Sequence, residues 1–435
     1  MSRNSRLGTS LLYSWFIFLV AVLFNAYDAY LRVTPSVTSE QLRTSLGVDP
    51  NSLGTMMTFY FVPYVLLQIP VGLMIDRMGA RRLLTAAVVI SSIGSFFFGA
   101  ASSLAGAFSA RLLMGIGGAF PGVGPIYLAS RWFPPHYIGT LAGLTGTATV
   151  IGSIGGEAVL ASLLDWMSWR EAGYIAAGAG LVVALLIFLI VRDAPPSNQR
   201  LPNGEEEQNE QQFFSDVLRH LKNLAALPQN WINSLWGSLM LMPILAFASL
   251  WATPFFTTHY GVETKTAAAA ASAAFMGLAF GGPFAGLFSE KLRSRRIPML
   301  LFPFFALLDS LVILYLPGLP FPAMYPLMFL LGFCLGSQGS LVFAVAVEIN
   351  DRRTSGVAIG FTQGLSNLGG AVFPPLIGFL LTLSRSEDPS RAATPLAYTA
   401  ADYHIALAVL PIGLCLAMFL AYFLRESYGQ QAKGL

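Results

Sequence analysis

GLMIDRMGARR, residues 72–82, places four charged residues in a short stretch between two long apolar segments. Such a stretch is typical of a tight loop between two membrane-spanning helices. A second copy, GLFSEKLRSRR, follows 214 positions later at residues 286–296, in a chain of 435 residues. Because this offset is about half of the chain, the repeat predicts two related halves. Four glycines recur at an offset of 217: Gly115, Gly139, Gly143 and Gly152 return as Gly332, Gly356, Gly360 and Gly369.

The composition indicates a membrane protein. Hydrophobic residues make up 55% of the chain and charged residues 11%, with a mean hydropathy of +0.63. A soluble domain carries roughly a quarter charged residues. The net charge of +3 and its scattered basic residues argue against a nucleic-acid partner.

Apolar segments long enough to span a bilayer predict twelve transmembrane helices, an all-α fold. We expect a six-helix bundle at 1–192, a cytoplasmic linker at 193–230 and a second six-helix bundle at 231–435. The predicted helices cover about 11–36, 51–75, 82–103, 105–130, 138–164, 171–192, 231–258, 265–289, 297–316, 323–347, 354–383 and 402–425. The first segment has no small-residue cleavage site, so we interpret it as retained.

The distribution of basic residues predicts the orientation. Eighteen of the 25 Lys and Arg residues fall on the side that holds both termini, five on the opposite side and two within helices. This bias predicts cytoplasmic termini and a multi-pass location in the cell inner membrane. In the linker, FFSDVLRHLKNLAAL has apolar residues at helical spacing, which predicts an amphipathic helix on the membrane surface.

Asp28 and Arg32 are candidate functional residues in the first predicted helix, because charges inside the bilayer are costly. Their spacing of four places them on one face, where they can pair. Arg32 can anchor a substrate carboxylate through its planar fork. The alternative interpretation is a structural ion pair or an interfacial arginine.

Polar side chains at four-residue spacing mark further candidate substrate contacts. Tyr60, Tyr64 and Gln68 form a stripe along the second helix, which we expect to face protein or a cavity. Gln363 and Asn367 repeat the spacing in the eleventh helix, and Gln338 lies in the tenth. Packing hydrogen bonds between helices are the alternative interpretation.

Glu157 follows a glycine cluster in the fifth helix and is a proton-coupling candidate together with Asp28 and Arg111. An ion pair between Glu157 and Arg111 is the alternative. Asp309, in the ninth helix, has no evident partner. Cys334 and Cys415 lie in apolar segments, where we expect both to be buried. Neither a metal site nor a cofactor is expected.

The duplicated loop, the run RLLMGIGGA at residues 111–119 and the two six-helix halves resemble the major facilitator superfamily of secondary transporters. The runs YLRVTPSV and QIPVGLMIDRMGARR are similar to the phagosomal nutrient transporters and to the anion–cation symporter family. The resemblance implies that Arg32 binds the anionic group of the substrate and that Tyr64 contacts the substrate. In sugar-acid symporters an acidic residue precedes the arginine and a glutamate lies in the fourth helix, where this chain has Leu31 and Gly118.

The resemblance implies alternating access, with a monomer taking up a small carboxylate-bearing solute, an amino acid in the first instance, together with H⁺. The charged loops are expected to latch the cytoplasmic side in the outward-open state, through Asp76, Arg77, Arg81, Arg82, Glu290 and Lys291. Alternatives are an importer of other organic anions or siderophores, a proton antiporter, and a membrane sensor that does not transport. No nucleophile–base or metal constellation points to an enzyme.

Overall fold

The structure, a computed structural model, describes residues 3–133, 138–193, 219, 221–350, 355–386 and 398–428. These residues form helices joined by short loops and contain no strand. The predicted all-α class is therefore confirmed. The first predicted half contains α1 (Arg3–Leu46), α2 (Pro50–Met78), α3 (Ala80–Ala100), α4 (Leu104–Gly118), α5 (Gly124–Trp132), α6 (Ile138–Ile154), a π-helical segment (Gly155–Val159), α7 (Leu160–Leu163) and α8 (Trp169–Ile190).

The second predicted half is likewise helical in its described residues. It contains α9 (Pro228–Met242), a second π-helical segment (Pro243–Trp251), α10 (Ala252–Tyr260), α11 (Thr264–Leu292), α12 (Arg296–Tyr315), a 3-10 turn (Phe321–Ala323), α13 (Met324–Glu348), α14 (Ser355–Ser386), α15 (Ala400–Leu407) and α16 (Val409–Phe423). In the predicted linker, residues 221–226 are helical. The acidic run and residues 213–218 and 220 of the predicted amphipathic helix lie outside the described residues.

Ten helices of the described chain are long and apolar enough to cross a membrane, and Leu104–Gly118 is a shorter apolar helix. Together with α2, which is 29 residues long, these helices fit the predicted count of twelve. The chain is a multi-pass membrane protein. Large hydrophobic side chains on the outer faces of the helices are exposed, as expected for contact with lipid.

The helix ends follow from local sequence. Asp49 caps α2 by accepting a hydrogen bond of 2.7 Å from the backbone N–H of Ser52, and Pro50 fits the first turn, where its missing N–H costs nothing. Gly79 ends α2 with a φ of +80°, a conformation that favours glycine. This glycine lets α2 and α3 turn back on each other within the charged loop.

Hydrogen bonds between helix ends sort the loops of the first half into two sides. The Tyr13 hydroxyl donates to the Ile190 carbonyl at 3.0 Å, which joins the beginning of α1 to the end of α8. The backbone N–H of Trp169 donates to Gln41 Oε1 at 2.7 Å, which joins the other ends of the same helices. We call the side where α1 begins the N-terminal side and the opposite one the far side.

The two predicted halves meet closely toward the far side, along α2 and α14. The Thr58 hydroxyl donates to the Ala371 carbonyl at 2.6 Å. A Cβ added at Gly54 would lie 2.5 Å from Pro375 Cα, whereas one added at Gly364 would have its nearest neighbour at 3.8 Å. The two helices therefore separate toward the N-terminal side, and the structure is shut on the far side.

The cysteines differ in their surroundings. Cys334 in α13 is buried, as expected, but Cys415 in α16 is exposed, so its predicted burial is wrong. The apolar sequence around Cys415 predicts a membrane position equally well for a side chain that faces lipid. The described residues contain no group of three or more metal-ligating side chains.

We expect Gly54→Ala to weaken the packing of α2 against α14, because a methyl group there requires a backbone shift. Overpacking of this kind costs about 1–3 kcal/mol. The melting temperature of the purified protein in detergent measures the effect. Gly364→Ala, on the facing helix, adds a methyl group that makes only ordinary van der Waals contact with Val65, so it is the matched control and should not lower the melting temperature. Equal melting temperatures for the two variants would contradict the close approach at Gly54.

Candidate functional site

An ion pair lies in the middle of α1. The Nη2 atom of Arg32 lies 2.7 Å from Asp28 Oδ2, as their spacing of four residues predicted. The Asp28 side chain is 3% exposed and that of Arg32 is 16% exposed. The Arg32 side chain therefore remains partly accessible, whereas the Asp28 carboxylate is enclosed by protein.

The tyrosine stripe of α2 faces this ion pair. The Tyr60 hydroxyl donates to Asp28 Oδ1, and Tyr60 is completely buried. The guanidinium carbon of Arg32 lies 5.9 Å from the centre of the Tyr60 ring and 5.5 Å from that of Tyr64. Cation–π attraction at these distances stabilises the charge of Arg32 in a medium of low polarity. Gln68 continues the stripe and is buried, which fits the expectation that the stripe faces protein.

Arg111 of α4 holds the backbone of α1 beside Arg32. Pro35 lies inside α1 and has no N–H, so the Leu31 carbonyl loses its helical donor. Arg111 Nη1 donates to this carbonyl at 2.7 Å, and Nη2 donates to the Arg32 carbonyl at 3.4 Å. These bonds make Arg111 a positioning residue, and its predicted part in proton coupling stays a prediction.

The cluster of Asp28, Arg32 and Arg111 carries two guanidinium groups and one carboxylate. Its side chains are buried or nearly so, and Arg32 Nε has no hydrogen-bond partner within the described residues. An uncompensated charge inside a bilayer costs several kcal/mol. One excess positive charge and an unused N–H donor are features that the binding of an anionic group requires.

Gly118, at the end of α4, provides the space for the Asp28 carboxylate. A Cβ on Gly118 would clash with Asp28 Oδ1 and would lie 2.6 Å from the Tyr60 hydroxyl. The carboxylate from α1 thus occupies the volume that a side chain at position 118 of α4 would fill. The sequence showed only a glycine at this position, because the contact joins two helices 90 residues apart.

Glu157 lies in the π-helical segment and contacts the other predicted half. It is completely buried, and the Thr253 hydroxyl donates to its Oε2 at 3.3 Å. Its Oε1 has no partner among the described residues. The suggested ion pair with Arg111 is not formed, because that arginine bonds the carbonyls of α1 instead. Sequence reasoning missed Thr253 entirely, since a threonine in an apolar helix carries no distinctive signal.

The amide candidates are less closely tied to the charged cluster. The Nδ2 of Asn367 donates to the Gln363 carbonyl on the same helix at 2.9 Å. Gln338 is buried on α13, and its Nε2 has no partner among the described residues. The assignment of these three amides to a substrate site stays a prediction.

The two charged loops are anchored in the same way. The backbone N–H of Arg81 donates to Asp193 Oδ1 at 2.8 Å, and that of Arg295 donates to Glu426 Oε1 at 2.8 Å. Each carboxylate follows the last helix of its predicted half. Burial acts to raise the pKa of Glu426, but the hydrogen bonds it accepts, led by the one from Arg295 N–H, hold it below its ordinary value.

The remaining gate candidates lie at the ends of these loops. Arg82, Glu290 and Lys291 are exposed. The side-chain contacts shown for Arg81 remain within its own half, through the Phe188 carbonyl at 2.8 Å. The side chains of Asp76 and Arg77 lie outside the described residues. The predicted latch belongs to the outward-open state and stays a prediction, because this structure is shut on the far side.

A polar, positively charged centre inside a multi-pass helical bundle is typical of a functional site within the membrane. A model of the Major Facilitator Superfamily matches residues 16–374. The chain belongs to this superfamily of transporters.

Named relatives and a solved structure agree with this assignment. The chain is 22% identical over 403 residues to the probable galactarate/D-glucarate transporter GudP of Escherichia coli, covering 84% of this chain and 86% of that protein. It is 22% identical over 383 residues to the hexuronate transporter of Bacillus subtilis, with coverages of 84% and 86%. Its fold is similar to that of a bacterial homologue of the human lysosomal transporter Spinster, with a TM-score of 0.76, 16% identity and coverages of 95% and 97%.

We expect Gly118→Ala to disrupt the charged cluster, because the added methyl group displaces the Asp28 carboxylate from Tyr60. The Asp28 carboxylate then no longer lies where it neutralises the positive charge of Arg32. Loss of the thermal stabilisation that organic anions give to the purified protein measures this effect. Gly122→Ala, four residues later with no atom near its Cβ position, is the matched control. Unchanged anion binding in a folded Gly118→Ala variant would show that this packing is not needed.

Proposed function

We propose that the chain is a secondary active transporter that takes up a small organic anion into the cell. The single observation that supports this proposal most strongly is the excess positive charge of the cluster formed by Asp28, Arg32 and Arg111. A negatively charged substrate balances that charge when it binds. In an empty site, Tyr60, Tyr64 and the backbone carbonyls bonded to Arg111 offset part of the cost.

Arg32 is the proposed binding group for a carboxylate. Its Nη2 is bonded to Asp28, and its Nε, on the same edge of the guanidinium plane, has no hydrogen-bond partner among the described residues. A carboxylate can accept two N–H groups of one guanidinium edge side by side, which fixes its orientation. Tyr64 and Gln68 lie along the same stripe of α2 and are placed to contact the body of the substrate.

The charge balance favours a net anion over a zwitterion. An amino acid brings a cation together with its carboxylate and leaves the excess charge of the site unchanged. The one carboxylate of the cluster, Asp28, is already bonded to Arg32 and Tyr60 and is not free for an ammonium group. The names of the relatives, transporters of galactarate or D-glucarate and of hexuronate, support sugar acids as the substrate class. We therefore place sugar acids before the amino acids expected from the sequence.

The proposed transport cycle is alternating access between two halves, 1–192 and 231–435, with the N-terminal side in the cytoplasm of the inner membrane. The close approach of α2 and α14 shuts the far side, so this structure corresponds to the inward-facing part of the cycle. The cluster on α1, α2 and α4 is then reached from the cytoplasm.

Glu157 is the proposed proton carrier of the cycle. A buried carboxyl that faces hydroxyl groups and no cation among the described residues is far more stable when protonated. Thr253 belongs to the other half, so separation of the halves on the far side removes this contact and admits water. The proton is thus taken up from the far side and carried by the closing movement.

We expect Arg32→Gln to reduce the uptake of D-glucuronate, galactarate and D-glucarate by at least about tenfold, because charge-assisted hydrogen bonds are worth about 1.5–3 kcal/mol. Uptake of the labelled anions by cells or proteoliposomes is the measurement. Arg43→Gln, at the exposed end of the same helix, serves as the matched control. Wild-type uptake by a folded Arg32→Gln variant would refute the assignment of Arg32.

We expect Glu157→Gln to separate substrate exchange from proton-driven accumulation. Glutamine keeps the shape and a hydrogen bond to Thr253 but cannot release a proton. In proteoliposomes the variant should exchange labelled anion across the membrane and fail to concentrate it under an imposed pH gradient. Asp165→Asn, an exposed carboxylate on the far side, is the control. Accumulation at the wild-type level in Glu157→Gln would exclude this residue as the proton carrier.

A further inference from the structure

An apolar pocket lies on the outer surface of the second predicted half, between α11, α12 and α13. Its volume is about 440 Å³. Five phenylalanines line much of it: Phe284, Phe288, Phe302, Phe305 and Phe333. Phe284 and Phe305 are 48% and 51% exposed on membrane-spanning helices, so the pocket opens toward lipid. All of its lining residues belong to these three helices, whereas the charged cluster lies on α1, α2 and α4.

Asp309 is the polar exception in this pocket. It lines the cavity and is 4% exposed, and both of its carboxyl oxygens lack a hydrogen-bond partner among the described residues. It lies 13 residues after the start of α12, which is about 20 Å along a helix about 30 Å long. An ionisable side chain at this depth is a candidate for a functional site.

We propose that this pocket binds a lipophilic primary amine that enters from the bilayer. A buried carboxyl without a partner holds its proton, so an amine that enters as the neutral base takes this proton and becomes an ammonium group that donates to the two oxygens of Asp309. The phenylalanine rings around it attract a cation through their faces and pack against an apolar tail. The Phe284 ring lies 5.1 Å from that of Phe333 and 5.9 Å from that of Phe288, so the pocket wall is a continuous aromatic surface. This site is separate from the proposed anion site and does not depend on it.

The probe is labelled 4-phenylbutylamine, and its neutral counterpart is 4-phenylbutan-1-ol. Binding to the full chain in lipid nanodiscs is measured with empty nanodiscs as the background. The wild-type protein should bind the amine saturably and at least tenfold more tightly than the alcohol. Asp309→Asn preserves the shape of the side chain and should remove this preference, with affinity for the amine falling at least tenfold.

A second pair of variants tests the pocket without altering the carboxyl group. Phe305→Trp narrows the cavity and should weaken amine binding, whereas Phe304→Trp, next to it but outside the lining, should not. This pair decides the question if Asp309→Asn fails to fold. Equal binding of amine and alcohol by the wild-type protein, or wild-type affinity for the amine in a folded Asp309→Asn or Phe305→Trp variant, would overturn the proposal.

Discussion

Two guanidinium groups and a single carboxylate share the buried centre of the first half, and much of the surrounding structure serves to hold them there. Arg32 and Asp28 pair along one face of α1, and Arg111 reaches α1 from α4. The low polarity of a bilayer makes each of these charges expensive. In the proposed function, an anion completes this arrangement when it binds.

The backbone contributes to this arrangement as much as the charges do. Pro35 interrupts the hydrogen bonds of α1 at the turn that carries Arg32, and Arg111 replaces the missing donor at the Leu31 carbonyl. Gly118 leaves the volume into which the Asp28 carboxylate fits. A proline in one helix and a glycine in another thus determine where the two charged side chains lie.

The sequence predicted those features that depend on local spacing. The charged loop and its copy, the Asp28–Arg32 pair and the stripe of Tyr60 and Tyr64 all follow from residues within one or two helical turns. Features that join distant helices were not predictable in this way. The contact between Glu157 and Thr253 depends on a π-helical segment and on the packing of both halves, neither of which a single sequence specifies. The exposure of Cys415 likewise depends on which face of an apolar helix meets lipid.

The central claim is that an excess positive charge selects an anion. Matched binding isotherms test this claim most directly. The purified protein in nanodiscs is titrated with D-glucuronate and galactarate and with their uncharged counterparts, D-glucose and galactitol, in an isothermal calorimeter. The account predicts saturable binding for at least one anion and none for its uncharged counterpart. Binding of an uncharged counterpart as tightly as its anion would contradict it.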